Sequence, residues 1–201
     1  QRVALARALM SAPQLLLMDE PLSAADMGYR IELLPYLRQV IDRFKIPTLY
    51  VAHTLDELTQ LADQLLVLRG GRCAALGLVN EVLAQLDLPE VAGRKEASSI
   101  ITAQVTRHDL DYQLTSLRFG GQSLSLSGLV AKPNEDVRIR VFATDVAIAL
   151  TKPQGISIRN VLPAVVTAIR VDVASPFADV LVAVDGQSLR VRMTRASLDE
   201  M

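Results

Sequence analysis

The 201-residue chain contains no tryptophan and only one cysteine, and aromatic residues make up just 4% of it. A single thiol, Cys73, excludes an internal disulfide and is typical of a protein from a reducing compartment. No stretch approaches the ~20 consecutive apolar residues that span a bilayer, and the first residues lack the apolar core of a signal peptide. A formal net charge of −1 and the scarcity of aromatic rings argue against nucleic acid as a partner. Any membrane association is therefore expected to come through a partner protein.

The first 86 residues alternate between helical periodicity and short apolar runs, which predicts an α/β domain. From Ile31 to Phe44, apolar residues recur at the three-to-four spacing of an amphipathic helix. Thr54 and Glu57 have the spacing of a capping box, and Asn80 is expected to cap a short helix. The predicted elements are helices at 1–11, 31–44, 54–62 and 80–86, strands at 14–18 and 46–52, and a hairpin at 65–76 closed by Gly70-Gly71.

The pattern changes over residues 87–97, where proline, glycine and charged residues predict a linker. Beyond it, helical periodicity gives way to alternation, with one long strand predicted from Val137 to Leu150. Residues 98–201 are accordingly predicted to form an all-β module resembling a small barrel.

This β module contains an internal repeat. Ala103-Gln-Val-Thr106 and Gly121-Gln-Ser-Leu124 recur as Ala164-Val-Val-Thr167 and Gly186-Gln-Ser-Leu189, at offsets of 61 and 65 residues. The two copies are predicted at about 98–150 and 156–201, and the second is expected to be truncated because it stops before an equivalent last strand.

Two neighbouring strands of the first domain end in chemically active side chains. The apolar run before Asp19-Glu20 delivers paired carboxylates, and the next predicted strand ends at His53. Taken alone, the acids are as consistent with a strand leaving the core, and the histidine with a buried hydrogen-bonded side chain. With Ser23 and Asp26 following the acids, however, the order of these residues resembles the ATPases of ABC transporters.

The resemblance implies a role for each of these residues. Asp19 would lie on the Mg²⁺ side of bound ATP, Glu20 would hold the attacking water as catalytic base, and His53 would contact the γ-phosphate. Ser23 and Asp26 would belong to the D-loop, which reaches across an ATPase homodimer. Where the family usually has leucine before the D-loop aspartate, this chain has Ala25.

The phosphate-binding part of such an ATPase is missing from the sequence. No G-x-x-x-x-G-K-[ST] motif occurs, and the family's signature loop would fall just before Gln1. Because the acids alone would repel a triphosphate, we expect the 201 residues by themselves neither to bind ATP tightly nor to hydrolyse it.

A second constellation opens the second β repeat with Ser157-Ile-Arg159-Asn160. By itself it is an ordinary strand start with a solvated arginine. Within a repeated β module it resembles the TOBE or Mop modules of certain ABC importers, in which such a motif helps bind molybdate or tungstate. Hydroxyl and guanidinium donors suit a tetrahedral dianion. The resemblance adds Thr194 and Ser197 as further oxyanion ligands.

The whole chain is identified as resembling the ATP-binding subunits of molybdate importers. That resemblance implies ATP and Mg²⁺ as cofactors, molybdate as a regulatory ligand, and a peripheral position on the cytoplasmic face of the inner membrane. It implies a second copy and a membrane permease as partners, with a periplasmic molybdate-binding protein engaged indirectly. Two alternatives stay open: an ABC ATPase for sulfate, iron, polyamine or sugar, and a molybdate sensor or storage module with an inert ATPase remnant.

Overall fold

The computed structural model describes residues 2–23, 25–86, 88 and 97–201. Its backbone divides into two compact units, residues 1–65 and 66–201. The predicted mixture of α/β and β structure, built on several separate sheets, is confirmed. The predicted linker at 87–97 lies outside the described residues except for Leu88 and Ala97, both of which are buried. None of the described helices has the length and apolar character needed to cross a membrane.

The first unit packs helices against a two-stranded parallel sheet. Strands β1 and β2 pair in register from Leu16 opposite Thr48 to Asp19 opposite Val51. Its elements are α1 Arg2–Met10, β1 Leu16–Asp19, α2 Met27–Phe44, β2 Thr48–Val51 and α3 Leu55–Leu61. The core of this unit is formed by Leu16, Met18, Leu22, Leu33, Leu34, Leu37 and Leu61.

Helix α2 begins four residues before its predicted start at Ile31. Asp26 is its N-cap, and the Asp26 Oδ1 atom accepts a hydrogen bond from the Tyr29 N–H at 2.8 Å. The first turn carries no apolar stripe, so periodicity alone placed the start too late. The helix ends at Phe44 and is capped by Lys45, which has a left-handed backbone (φ 52°) and donates its N–H to Ile41 O.

The second unit begins with the hairpin that the Gly70-Gly71 pair predicts. Strands β3 Gln64–Arg69 and β4 Arg72–Leu78 form this hairpin, although β3 starts in the first unit. Both glycines have positive φ, 56° and 76°, as a two-residue type I′ turn requires. Helix α4, Val79–Ala84, follows at once. Asn80 lies inside this helix, so its prediction as a cap is wrong; Glu81 instead accepts a hydrogen bond from the Leu78 N–H at 3.3 Å.

Two antiparallel sheets make up the rest of the second unit. The first has the order β7-β6-β5-β8 and the second the order β11-β10-β9. Their elements are β5 Ser98–Asp109, β6 Leu114–Phe119, β7 Gln122–Ser127, β8 Asp136–Phe142, a 3₁₀ turn Ala143–Asp145, β9 Val165–Val171, β10 Phe177–Val184, β11 Gln187–Thr194 and helix α5 Arg195–Asp199.

The repeat in the sequence corresponds to two meanders of three strands. Tight turns join the second and third strands of each, at Gly120-Gly121 and at Asp185-Gly186. Alternate residues of both meanders contribute to one shared core. The buried members of that core are Ile101, Ala103, Val105, Leu117, Phe119, Leu124, Val180, Val182, Val184, Leu189 and Val191.

The prediction of one strand from Val137 to Leu150 is wrong in its second half. Strand β8 ends at Phe142, a 3₁₀ turn follows, and residues 146–150 form no strand. Val146 and Ile148 still pack against the shared core. Their alternation therefore reports an extended segment with one apolar side, which does not require pairing with a neighbouring strand.

Candidate functional site

Glu20 and His53 lie together at the carboxyl ends of the two parallel strands. The Glu20 N–H donates to Val51 O at 2.9 Å, which extends the pairing of β1 and β2 by one residue. Two residues beyond Val51, the His53 Nε2 atom lies 2.6 Å from the Glu20 Oε1 atom. The side chains are 38% and 80% exposed for Glu20 and His53, so the pair is open to a ligand.

The backbone of Glu20 has an unusual conformation. Its φ of 43° lies in the left-handed region, which non-glycine residues occupy at a cost of about 1–3 kcal/mol. Glu20 makes the last backbone hydrogen bond between the ends of β1 and β2, and the chain turns there into the following loop. Such strain is concentrated at sites where a side chain has to be aimed, and here the aimed side chain meets His53.

Asp19, the last residue of β1, occupies a different position. It is exposed and follows the strand's alternation, in which Leu16 and Met18 are buried while Leu17 and Asp19 are not. It does not line the cleft that contains Glu20 and His53. The structure thus brings together Glu20, the predicted base, and His53, the predicted contact of the γ-phosphate. It leaves Asp19, the predicted Mg²⁺-side carboxylate, beside them on the exposed face of the strand.

The loop after Glu20 is tied back to the strand end. Both the hydroxyl and the N–H of Ser23 donate to Glu20 O, at 3.0 and 3.1 Å. Asp26, by contrast, caps α2. Ser23 lines the cleft and Asp26 does not.

An ionic network is built around one buried carboxylate beside this loop, and no local pattern in the sequence predicts it. Glu57 on α3 is buried, and its Oε1 atom lies 3.4 Å from Arg30 Nη1. Tyr50 OH donates to Glu57 Oε2 at 2.6 Å, and the Thr54 hydroxyl donates to Glu57 Oε1 at 3.1 Å. Burial raises the pKa of Tyr50 strongly, and the hydrogen bond to the Glu57 carboxylate raises it further. We refer to Arg30, Tyr50, Thr54 and Glu57 as the Glu57 network.

The predicted capping box is therefore wrong in its contacts. Thr54 is the N-cap of α3, but its side chain accepts no hydrogen bond from the helix. The hydroxyl donates instead to the Glu57 side chain, and that carboxylate is turned inward by Tyr50 and Arg30. A buried carboxylate with a hydroxyl and a guanidinium on two sides gains more from these bonds than it would from an exposed helix end.

These groups surround one cleft of about 210 Å³. Its charged members are two carboxylates and one guanidinium, and the guanidinium is already bound to one of those carboxylates. Among the described residues, no cluster of three or more His, Cys, Asp or Glu side chains could hold a metal ion. The cleft is lined by Glu20, Ser23, Arg30, Ala52, His53, Thr54 and Glu57.

The predicted oxyanion residues are found in two places. Ser157 and Arg159 are exposed in the strand-free segment before β9. Asn160 follows them, but its side-chain amide pairs with the backbone of Ser125, accepting from its N–H at 2.8 Å and donating to its carbonyl at 2.9 Å. This amide extends the free edge of β7 in the manner of one residue of a neighbouring strand.

Thr194 and Ser197 form the start of helix α5. Thr194 is the N-cap, and its Oγ1 atom accepts from the Ser197 N–H at 3.1 Å and lies 2.8 Å from the Ser197 hydroxyl. The T-x-x-S spacing is thus satisfied by local capping. Both side chains are partly or fully exposed, so the hydroxyls can exchange this local bond for a ligand.

Comparison with known proteins identifies relatives over the whole chain. No protein-family model matches. The chain is 45% identical over 203 aligned positions to the molybdenum import ATP-binding protein ModC of Aromatoleum aromaticum, covering 100% of the chain and 53% of that relative. It is 42% identical to ModC 1 of Azotobacter vinelandii, covering 100% and 55%, and 43% identical to ModC of Paramagnetospirillum magneticum, covering 84% and 47%.

The chain spans about half the length of the curated relatives it matches. The alignments that cover 100% of the chain, at 42–45% overall identity, include the strand ends with Glu20 and His53 as well as the repeated β module. Over both compact units, the chain is therefore similar to molybdenum import ATP-binding proteins.

Proposed function

We propose that this chain is part of the ATP-binding subunit of an ABC importer, which couples ATP hydrolysis to molybdate uptake. The observation that carries the proposal is the 2.6 Å contact between His53 Nε2 and Glu20 Oε1 at the ends of two parallel strands. A carboxylate and an imidazole held at one open point are the groups that an ATPase needs beside a γ-phosphate. Similarity to molybdenum import ATP-binding proteins over both units supports the choice of cargo.

In this proposal Glu20 is the catalytic base. Its carboxylate accepts a proton from the attacking water, and His53 fixes the carboxylate's orientation through the Oε1 atom. The imidazole also provides an N–H or lone pair at the mouth of the cleft, where the terminal phosphate would be. Mg²⁺–ATP, when bound, supplies the phosphoanhydride bond and the metal that screens its charge.

The donors present fit part of that ligand. Carboxylate oxygens such as those of Asp19 are suited to Mg²⁺. The described cleft has no spare cation for a triphosphate, because Arg30 is engaged with Glu57 and with two loop carbonyls. The proposal therefore requires a phosphate-binding loop from outside these 201 residues, and closure with a second copy through the Ser23 and Asp26 loop.

For residues 98–201 we propose a regulatory oxyanion-binding module of the TOBE or Mop type. Ser157 and Arg159 would bind molybdate directly, with Thr194 and Ser197 adding hydroxyl donors. Asn160 would act mainly through the edge of β7, because Ser125 already occupies its amide. The subunit would lie on the cytoplasmic face of the inner membrane, bound to a permease. A periplasmic molybdate-binding protein would act on the subunit only indirectly, through that permease.

The test is ATP hydrolysis by the full-length subunit assembled with its permease in vesicles. We expect the molybdate-loaded binding protein to stimulate ATP hydrolysis, and we expect molybdate to accumulate in the vesicles. Sulfate at the same concentration should neither stimulate hydrolysis nor accumulate. Stimulation by sulfate, iron, polyamine or sugar instead would assign another cargo. No hydrolysis under any condition would favour a sensor or storage module.

Calorimetry on the 201-residue chain tests the β module separately. Molybdate is expected to bind and sulfate to bind more weakly, and the Arg159→Ala variant should lose molybdate binding. Lys152→Ala removes an equally exposed cation from the same segment and should leave binding unchanged. If the two variants behave alike, Arg159 contributes only general charge.

A further inference from the structure

Arg30 connects the loop after Glu20 to a different part of the first unit. Its Nε atom donates to Ala25 O at 3.0 Å and its Nη2 atom donates to Ser23 O at 3.1 Å. Its remaining nitrogen, Nη1, lies 3.4 Å from Glu57 Oε1 on helix α3. All three nitrogens of the guanidinium are thus used, two on loop carbonyls and one on a buried carboxylate.

The other end of this connection is equally well held. The Glu57 side chain is only 6% exposed, and it receives hydrogen bonds from Tyr50 on strand β2 and from Thr54. Thr54 directly follows His53 in the chain. The Glu57 carboxylate therefore contacts Tyr50 on the strand that leads to His53, Thr54 directly after His53, and Arg30 on α2. An uncompensated carboxylate at such a position is strongly unfavourable, so Arg30 and Glu57 depend on each other.

We propose that Arg30 is a positioning residue for ATP hydrolysis. It fixes the loop that contains Ser23 and Ala25 relative to the segment that contains His53. Glu20 and His53 therefore keep their contact when the loop meets a partner subunit. The inference rests on the proposed function and deepens it. Arg30 acts through the backbone and through Glu57, and the groups that would meet the nucleotide remain Glu20 and His53.

The chemistry of the side chain explains why arginine is needed here. Two neighbouring carbonyls and a carboxylate on a third side match a planar group with several fixed N–H donors. A lysine ammonium can restore the charge beside Glu57 but cannot reach all three acceptors from one point. Arg30→Lys therefore keeps the buried charge compensated while releasing at least one loop carbonyl.

Arg38 provides a matched control on the same helix. It bonds to Asp42 at 2.9 Å, to Asp63 at 3.1 Å and to Leu61 O at 2.7 Å. It therefore resembles Arg30 in its number of partners and in joining α2 to a neighbouring segment. Unlike Arg30, it does not line the cleft.

The experiment measures steady-state ATP hydrolysis and thermal unfolding of the full-length importer carrying Arg30→Lys or Arg38→Lys. We expect Arg30→Lys to lower kcat about 10-fold or more, because small misplacements of catalytic groups are costly. KM for ATP should stay within about twofold, since the phosphate-binding groups are untouched. Arg38→Lys should change Tm by about as much as Arg30→Lys does but should leave kcat unchanged. Equal kcat for wild type and Arg30→Lys, or a loss matched by Arg38→Lys, would overturn the proposal.

A second variant keeps the test decisive if Arg30→Lys unfolds. Glu57→Gln keeps one of the two acceptor oxygens that Tyr50 and Thr54 use and removes the charge that Arg30 faces, so kcat should fall again with KM preserved. Where both single variants fold, the two losses should be less than additive in the double variant, because both act through one contact. Full additivity would contradict the inference. Absence of ATP hydrolysis in the wild-type importer would instead count against the proposed function.

Discussion

Replacing Tyr50 by phenylalanine isolates one hydrogen bond of the Glu57 network. The hydroxyl donates to Glu57 Oε2 at 2.6 Å, and the substitution keeps the ring and its packing. A hydrogen bond to a charged group contributes about 1.5–3 kcal/mol, so the free energy of unfolding of the first unit should fall by about 2 kcal/mol at pH 7. Tyr36→Phe is the control: Tyr36 is 55% exposed, and its substitution should change stability by less than about 0.5 kcal/mol.

The pH dependence of this difference has a definite sign. Burial, together with the nearby Glu57 carboxylate, raises the pKa of Tyr50 in the folded chain, and the charge of Arg30 offsets this only in part. In the unfolded chain a tyrosine titrates near ~10. The folded state therefore holds the proton more tightly, and the stability that Tyr50 contributes is complete below pH ~10 and is lost above it. The gap between wild type and Tyr50→Phe should accordingly narrow as the pH rises from about 9 to 11.

Phenolate absorbance after a rapid jump to alkaline pH measures this directly. The chain has four tyrosines, so removing Tyr50 should lower the amplitude by one quarter in urea-unfolded protein. In folded protein, within the first milliseconds, the same substitution should leave the amplitude unchanged because Tyr50 keeps its proton. Equal losses in folded and unfolded protein would show that Tyr50 ionises freely and would refute the reasoning.

Two further predictions concern the β module, each measured on the 201-residue chain. Gly120→Ala should destabilise more than Gly128→Ala in urea unfolding: both glycines have positive φ, but an added Cβ meets the Asp185 carboxylate only at Gly120. The left-handed backbone should cost each variant about 1–2 kcal/mol, and equal effects would contradict the steric argument. Asn160→Ala should speed amide exchange at Ser125, whose N–H it holds at 2.8 Å; unchanged exchange would argue against the pairing.

The sequence predicts local features of this chain well. The paired acids after an apolar run, the histidine after the next run, and the Gly70-Gly71 turn each depend on neighbouring residues only. The repeat is visible because both copies place the same short motifs before equivalent strands, and the structure shows matching three-stranded meanders. The contact between Glu20 and His53 follows from parallel pairing of two strands, which the order of the elements suggests.

Features that depend on tertiary packing were missed. Arg30 and Glu57 are 27 positions apart in the chain, and nothing in the local pattern of either shows that the carboxylate turns inward. The spacing of Glu57 from Thr54 satisfies the capping-box rule, so the local pattern predicts a bond to the helix end. A buried tyrosine hydroxyl at Tyr50 needs an acceptor, and this requirement was the one available signal. The end of β8 at Phe142 was missed because alternation continues through Val146 and Ile148.

The central claim is that Glu20, held against His53, is the base for ATP hydrolysis. Single-turnover hydrolysis by the full-length subunit, comparing wild type with Glu20→Gln, tests it most directly. Glutamine preserves the side-chain volume and an acceptor for His53 but cannot take a proton. The account predicts that the variant binds ATP normally and hydrolyses it about 10²–10⁴-fold more slowly. Hydrolysis at the wild-type rate would contradict it.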